Sequence, residues 1–251
     1  MVLGKSLLIL NQPIIKASAV RKLFCCLFFL VPLLVFSQFN DTTIGLLRKL
    51  DSIRNSATVS RHFAGLYFNV TTGAMDYFSK EDKTVQHFMQ RLENRFADYF
   101  FNAAVAYNSG AGMPVAWKNY YTDTSLTQVQ YFLLGANAHI NGDIWQALTS
   151  EFSLQELNQY KRFYYRYNKK LKEEILSIYD EAFSTVPKVR LLHAVSAGLD
   201  KQYGKLMLVR WRKRQMKISM LWFTDRDRFQ IKLTSIRKKM AKLDKLVLQN
   251  L

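Results

Sequence analysis

The stretch TVQHFMQRLENRFADYFFNAAVAYNSG, residues 84–110, carries apolar side chains at steps of three and four along most of its length. Such spacing places them on one side of an α-helix, where they can pack against a neighbouring element. Gly110 follows the last apolar residue and predicts the end of the helix, since glycine adopts the left-handed backbone that closes many helices. We therefore predict one long amphipathic helix with an apolar stripe of Val85, Phe88, Leu92, Phe96, Tyr99, Ala103 and Ala106.

Helical spacing also continues through the middle of the chain. Pro114 predicts the first turn of a short helix, because its fixed backbone angle suits that position. A longer helix is expected over residues 125–148, and either Thr124 or Ser125 is expected to cap its amino terminus.

The last hundred residues contain further start and stop signals. Ser153 and Glu156 have the spacing of a capping box, which predicts another helix start. Pro187 predicts a break, after which two helices are expected to fill residues 188–223. From about Asp227 onward, apolar residues recur with heptad spacing. That final stripe consists of Phe229, Leu233, Ile236, Met240, Leu243 and Val247.

The composition agrees with a helical domain. Hydrophobic residues make up 49% of the chain, which is enough to form a core. The 4 prolines and 10 glycines are too few for the many turns of a β-sandwich, and no segment alternates between apolar and polar residues as a strand does. We predict a single all-α domain of about seven to nine helices over residues 38–251.

Residues 20–38, VRKLFCCLFFLVPLLVFSQ, have the three parts of a secretory signal peptide. Arg21 and Lys22 give the positive start, an apolar run follows, and Ser37 is the small residue at its end. The run is short for a membrane span and contains Pro32. The segment predicts export to the periplasm or the outside of a bacterial cell, and the alternative is an uncleaved signal-anchor in the inner membrane.

The residues before this segment fit no part of a signal, so we predict that translation starts at Val20 and that cleavage after Ser37 removes the signal, which leaves none of residues 1–37 in the mature protein. The chain has 2 cysteines, Cys25 and Cys26, and both lie in the removed part. Without cysteine, the mature protein cannot contain a disulfide framework, a zinc–thiolate site or a cysteine nucleophile.

The net charge of +17 is concentrated at the C-terminal end. Residues 38–200 hold 17 basic and 16 acidic side chains, whereas residues 201–251 hold 15 basic and 3 acidic ones. The simplest interpretation is a core-packed helix with a solvated cationic side. The functional interpretation is that residues 205–245 bind an anionic membrane surface or an envelope polyanion. Nucleic acid is the less favoured partner.

The segment LLGANAHINGDIW, residues 133–145, places His139 and Asp143 four apart on the apolar side of the predicted helix. A buried carboxylate needs a partner. Either Asp143 accepts a hydrogen bond from His139, or both side chains ligate a cation. Gly135 and Gly142 bracket the pair and predict the close approach of another helix or of a ligand, because glycine is otherwise unfavourable inside a helix.

The segment LLGANAHINGD resembles the hallmark of an uncharacterised bacterial family, the domain of unknown function 5995, whose members carry an AHINxD motif. His139, Asn141 and Asp143 match that motif, and Gly142 stands at its variable position. The resemblance covers most of residues 60–215 and implies no known reaction. Its other parts are FAGLYFNVT, RFADYFFNA, PVAWKNYY and, more weakly, VRWRKRQM.

A shorter segment, HINGDIWQAL, is similar to a metal-binding run of the zinc-dependent nuclease and phospholipase C group. The histidine and the aspartate of that run bind zinc, which implies His139 and Asp143 as ligands here. Ala147 replaces the proline of the run and Thr149 replaces its terminal histidine. Most histidines of the three-zinc cluster are missing, so the similarity implies at most one metal ion.

Two functions remain open at this point. In the first, His139 and Asp143 hold one divalent cation in a hydrolase of esters or phosphoesters, with a third ligand from His62, His193 or Asp51. In the second, which we favour, a non-enzymatic exported protein contains a buried structural His–Asp pair. Candidate catalytic residues are His139, Asn141 and Asp143. The chain contains no glycine-rich phosphate loop, so no nucleotide cofactor is predicted.

Overall fold

A computed structural model of the protein describes residues 41–185 and 199–250, with side chains over 41–171 and 206–250. Over these residues every regular element is a helix, which confirms the all-α prediction. The α-helices are α1 (Asp41–Arg54), α2 (Arg61–Ser79), α3 (Lys83–Ser109), α4 (Lys118–Tyr121), α5 (Gln128–Asn137), α6 (Ile144–Glu151), α7 (Leu154–Thr185), α8 (Leu199–Thr224) and α9 (Arg226–Asn250).

Two short elements join these helices. A 3₁₀ turn, Val115–Trp117, leads directly into α4, and a π-helical turn, Ala138–Asp143, runs without a break from α5 into α6. When each continuous run is counted as one helix, the described residues contain eight helices, within the predicted range.

The ends of several helices follow the predicted signals. Gly110 closes α3 in the left-handed region with φ of 67°, and its N–H bonds to carbonyl groups of the preceding turn. The Ser153 hydroxyl accepts a hydrogen bond from the N–H of Glu156, while the Glu156 carboxylate accepts one from the N–H of Ser153. Both predictions are therefore confirmed.

The predicted cap of the long central helix was wrong. Thr127 caps α5 instead of Thr124 or Ser125, and it forms a capping box with Gln130. The reason is local, because the N–H and hydroxyl of Ser125 both donate to the Asp123 carboxylate in a turn. That turn must end before the helix can begin.

From Asp41 onward the chain forms one compact unit around a core rich in aromatic side chains. Helix α3 packs against α1, α2, α6 and α7, while the π-helical turn packs against α3, α8, α9 and the 3₁₀ turn. The most deeply buried aromatic side chains are Trp117, Tyr120, Tyr131, Tyr164, Tyr167, Phe78, Phe88, Phe100 and Phe229.

Helices α8 and α9 lie against each other and are joined through Asp225. Of the predicted heptad stripe, Leu243 is partly buried and the other five side chains are buried. The predicted break at Pro187, the start of the helices over 188–223 and the signal segment 20–37 lie outside the described residues. Within the described ranges, no helix has the length and apolar character needed to cross a membrane.

Candidate functional site

The π-helical turn, Ala138–Asp143, comprises the segment AHINGD, and all six of its side-chain positions are buried. Consecutive residues of a helix point in all directions, so this turn must be surrounded by other elements. A π-turn inserts one extra residue into a helix and occurs frequently at functional sites. The sequence predicts a regular helix here, so the π-helical turn is a difference from that prediction.

His139 and Asp143 form a hydrogen-bonded pair inside this turn. Nδ1 of His139 lies 3.0 Å from Oδ2 of Asp143, and each residue is 2% exposed. The indole N–H of Trp117 donates to the same carboxylate oxygen at 2.9 Å. Trp117 comes from the 3₁₀ turn, so this hydrogen bond joins the 3₁₀ turn to the π-helical turn.

The imidazole of His139 is enclosed by aromatic rings. It stacks on Phe96 with ring centroids 3.4 Å apart and an interplanar angle of 11°, and Tyr67 packs edge-on with centroids 4.4 Å apart. Phe63 and Phe100 complete the enclosure. Nε2 of His139 is buried and has no hydrogen-bond partner among the described residues.

Burial favours the neutral form of both members of the pair. It lowers the pKa of His139 well below the ordinary value of 6.5, and the nearby charge of Arg212 lowers it further. Burial also raises the pKa of Asp143 well above 3.8, although the hydrogen bond from Trp117 opposes this effect. In the neutral pair the carboxyl O–H can donate to Nδ1, which places the imidazole N–H at Nε2 among the aromatic rings.

Two asparagines on the same segment link it to the C-terminal helices. Asn141 donates to the side-chain oxygen of Asn137 at 2.9 Å. Asn137 in turn donates to the Met240 carbonyl at 3.1 Å and to Oδ1 of Asp244 at 2.6 Å, both on α9. The other carboxylate oxygen of Asp244 accepts a hydrogen bond from Asn119 at 2.8 Å. The carboxylate of Asp244 is therefore held by amides from two different helices.

The side-chain oxygen of Asn141 completes the link on the α8 side. It accepts hydrogen bonds from Nη2 of Arg214 at 2.8 Å and from Nε2 of Gln215 at 3.2 Å. The segment AHINGD and the residue before it thus bind both α8 and α9 through side-chain hydrogen bonds. The side chain of Asn141 thereby joins Asn137 of α5 to α8.

The two glycines of this region are explained by close packing. A Cβ atom on Gly142 would lie 2.4 Å from Cβ of Ala116, and one on Gly135 would lie 2.4 Å from Cδ2 of Phe63. Contacts that short do not occur, so both positions exclude any side chain. The predicted close approach therefore comes from neighbouring protein at both positions.

The described residues do not fit a divalent cation at the His–Asp pair. No three histidine, cysteine, aspartate or glutamate side chains in the described part of the chain could hold one ion together. Of the candidate third ligands, His62 bonds to Gln128 and Asp51 to Arg54, while His193 lies outside the described residues. Two ligands are fewer than a protein-bound zinc ion usually takes.

Several buried polar residues near the pair were missed by the sequence analysis. Glu93 is 3% exposed, and burial raises the pKa of its carboxyl group, while the charge of Arg212 opposes that rise. Arg212 is 4% exposed and donates from Nε to Asn168 at 2.6 Å. A signal for Glu93 existed, since it lies three residues before Phe96 of the apolar stripe of α3. Arg212 lies in a run of basic residues, and nothing in the sequence distinguishes this buried arginine from its exposed neighbours.

A protein-family model described as "Family of unknown function (DUF5995)" matches residues 41–249. No curated protein and no solved structure matches the chain. The match confirms the resemblance carried by the AHINxD motif, whereas the similarity to the zinc-dependent nuclease group gains no support from these comparisons.

Proposed function

The chain belongs to the family of unknown function DUF5995, and we propose that it is a non-enzymatic exported protein that binds an anionic phospholipid surface of the cell envelope through α9. In this proposal the AHINGD segment is an internal element that holds α8 and α9 in place. The observation that carries the proposal is the charge on the solvent side of α9.

The exposed side of α9 is strongly cationic. Asp227 is its one exposed acidic residue, since Asp244 is buried. None of its basic side chains forms an ion pair in the described part of the chain. We call this surface the α9 outer face, and its basic residues are Arg226, Arg228, Lys232, Arg237, Lys238, Lys239, Lys242 and Lys245.

The charges of the α9 outer face suit a bilayer that contains anionic lipid. A lysine or arginine near such a surface contributes about 1 kcal/mol of binding free energy. Because a straight helix presents only part of its circumference to a flat surface, about half of these side chains would act at once, which corresponds to about 4 kcal/mol. That is enough for reversible, salt-sensitive binding.

An apolar side chain lies among these charges. Ile231 is 68% exposed, and helical periodicity places it opposite the buried stripe and on the same side as Lys238 and Lys242. Phe223, at the end of α8, is 38% exposed, and the guanidinium of Arg226 lies 3.3 Å from the ring centroid of Trp222. Basic residues combined with exposed apolar and aromatic residues are typical of helices that lie in the membrane interface.

The state of the His–Asp pair supports a non-enzymatic role. Each residue is 2% exposed, and Oδ2 of Asp143 already accepts from Trp117. A general base or metal ligand must be reached by its substrate or ion, and both of these side chains are buried among other side chains. The hydrogen bonds of Asn137 and Asn141 give the segment a structural role, because they join it to the two helices that carry the basic charge.

Flotation with lipid vesicles tests the proposal. The mature chain, residues 38–251, should float with vesicles that contain phosphatidylglycerol and stay in solution with vesicles of phosphatidylcholine alone. Raising the salt concentration should release it, since the binding is electrostatic. Equal binding to both kinds of vesicle, or no binding to either, contradicts the proposal. Binding to soluble polyphosphate in place of vesicles would identify a polyanion as the partner and would also contradict it.

A further inference from the structure

A cleft of about 480 Å³ opens between the end of α1, the first half of α2 and the start of α5. Small-molecule sites usually have volumes of about 300–1,000 Å³. No aspartate or glutamate is among the described residues that line this cleft. The polar side chains of its wall are Arg54, Arg61, His62, Asn55, Asn69 and Gln128.

The two arginines of the cleft differ in their partners. Arg54 forms an ion pair with Asp51 at 2.7 Å and lies over the ring of Phe68, so its position is fixed and its charge is partly neutralised. Arg61 is exposed and has no carboxylate partner in the described part of the chain. Its guanidinium is therefore free to bind a ligand, and its planar set of N–H groups matches phosphate and carboxylate oxygens.

The imidazole of His62 is held in place before any ligand arrives. Its Nδ1 lies 2.5 Å from Oε1 of Gln128, and Nε2 of Gln128 donates to the His62 carbonyl at 3.2 Å. The ring also stacks on Tyr131, with centroids 4.4 Å apart and planes within 2°. Because an amide oxygen only accepts, Nδ1 carries the hydrogen, and the ring has one fixed position in the wall of the cleft. Such pre-organisation reduces the cost of binding.

Gly65 leaves room at the centre of this arrangement. It lies inside α2 and lines the cleft, and a Cβ atom on it would meet nothing within 4 Å. Helix packing therefore does not require glycine here, in contrast to Gly135 and Gly142. Leu66 and Phe132 are partly buried and add apolar surface to the wall. The cleft thus offers cationic and amide groups beside an apolar patch.

We infer that this cleft binds a small organic anion, namely an apolar body that carries one phosphate or carboxylate group. The anionic group contacts Arg61 beside the fixed ring of His62, and the apolar body lies on Leu66 and Phe132 over Gly65. The site shares no residue with the α9 outer face, so it is independent of the proposed function.

Calorimetric titration of the mature chain with phenyl phosphate, benzoate and inorganic phosphate tests the inference. One of the two organic anions should bind with one site per chain and more tightly than inorganic phosphate, because the ring adds apolar contact. Tighter binding of phenyl phosphate would indicate a phosphate site, and tighter binding of benzoate would indicate a carboxylate site.

Two substitutions locate the binding. Arg61→Gln should weaken it about tenfold or more, since it removes a charge-assisted hydrogen bond. Gly65→Leu should abolish it by filling the cleft, while circular dichroism shows that the helices are retained. Arg48→Gln is the matched control, because Arg48 is an exposed arginine of α1 that does not line the cleft, and it should bind like the unchanged protein.

Three results would overturn the inference. The first is the absence of saturable binding of both phenyl phosphate and benzoate. The second is an equal loss of affinity in Arg61→Gln and Arg48→Gln, which would reflect net charge alone. The third is unchanged affinity in a folded Gly65→Leu variant, which would place the ligand elsewhere.

Discussion

The side-chain amide of Asn137 donates a hydrogen bond of 2.6 Å to the carboxylate of Asp244, 107 residues later in the chain. Asn137 ends α5, immediately before the buried π-helical turn, and Asp244 lies on α9. The centre of the fold is therefore linked directly to the helix that carries the exposed basic charge. Since both groups are buried, the loss of either one removes a hydrogen-bond partner that water cannot easily replace.

Asn137→Ala should lower the free energy of unfolding by about 2 kcal/mol, because it leaves the buried Asp244 carboxylate with fewer donors. Urea unfolding followed by circular dichroism measures this change. The control is Asn158→Ala, since Asn158 is exposed and its amide bonds to the Leu154 carbonyl of its own helix. If the two variants lose similar stability, the link between α5 and α9 is not important for the fold.

His139→Ala should destabilise the protein by about 3 kcal/mol or more, because it opens a cavity among aromatic rings and removes one of the two hydrogen-bond partners of Asp143. His87→Ala provides the comparison, since His87 is an exposed histidine of α3 and its loss should change stability by less than about 0.5 kcal/mol. Thermal and urea unfolding of both variants give the two values. A His139→Ala variant as stable as the unchanged protein would show that the pair is not structural.

Gly142→Ala should destabilise the protein by about 1–3 kcal/mol even though alanine favours helix formation, because its methyl group would overlap Ala116. Combining it with Ala116→Gly should restore part of that loss. Gly45→Ala serves as the control, since nothing lies within 4 Å of its added Cβ, and it should stabilise the helix by up to about 1 kcal/mol. Additive effects of Gly142→Ala and Ala116→Gly would exclude the close contact.

The buried pair should also give stability a characteristic dependence on pH. Burial raises the pKa of Asp143 above its ordinary value of 3.8. At pH values above 3.8 the folded protein therefore keeps a proton on Asp143 that the unfolded chain loses. Because the folded state binds more protons there, its stability falls as pH rises. Burial lowers the pKa of His139 below its ordinary value of 6.5. At pH values below 6.5 the unfolded chain therefore gains a proton on this histidine that the folded protein does not. Because the unfolded state binds more protons there, stability falls as pH drops. The two contributions have opposite slopes, so they offset each other at any pH where both groups are neutral in the folded protein and charged in the unfolded chain.

Asp143→Asn isolates one half of this balance. As pH rises above about 4, the unchanged protein should lose stability relative to the variant by up to about 1.4 kcal/mol per pH unit, until the pH reaches the raised pKa of Asp143. Urea unfolding of both proteins across that range gives the difference directly, and the contribution of the buried Glu93 carboxyl cancels in the comparison. A difference that stays constant with pH would mean that Asp143 has an unshifted pKa in the folded protein.

The parts of the fold that follow local rules could be predicted from the sequence. The stripe of α3, the end at Gly110 and the heptad stripe of α9 depend on helical periodicity and on one backbone conformation. The start of α5 was missed because Asp123 binds Ser125 in a turn, and a capping residue alone does not reveal that competition.

The sequence predicts which residues form the candidate site, but it does not predict which distant residues they contact. The spacing of His139 and Asp143 indicated an inward-facing pair, and the glycines indicated close packing. The π-helical turn depends on elements that surround it, and Trp117 reaches Asp143 from 26 residues away. Periodicity carries no information about such distant partners, which is also why the link from Asn137 to Asp244 could not be predicted.

The central claim, that the α9 outer face binds anionic lipid, is tested most directly by flotation of two variants with the same loss of charge. One replaces Lys238, Lys239, Lys242 and Lys245 of α9 with glutamine, and the other replaces Arg48, Lys80, Lys83 and Lys169, which are exposed basic residues outside α8 and α9. We predict that the first variant stays in solution with phosphatidylglycerol vesicles while the second floats like the unchanged protein. Equal flotation of the two variants would contradict the account.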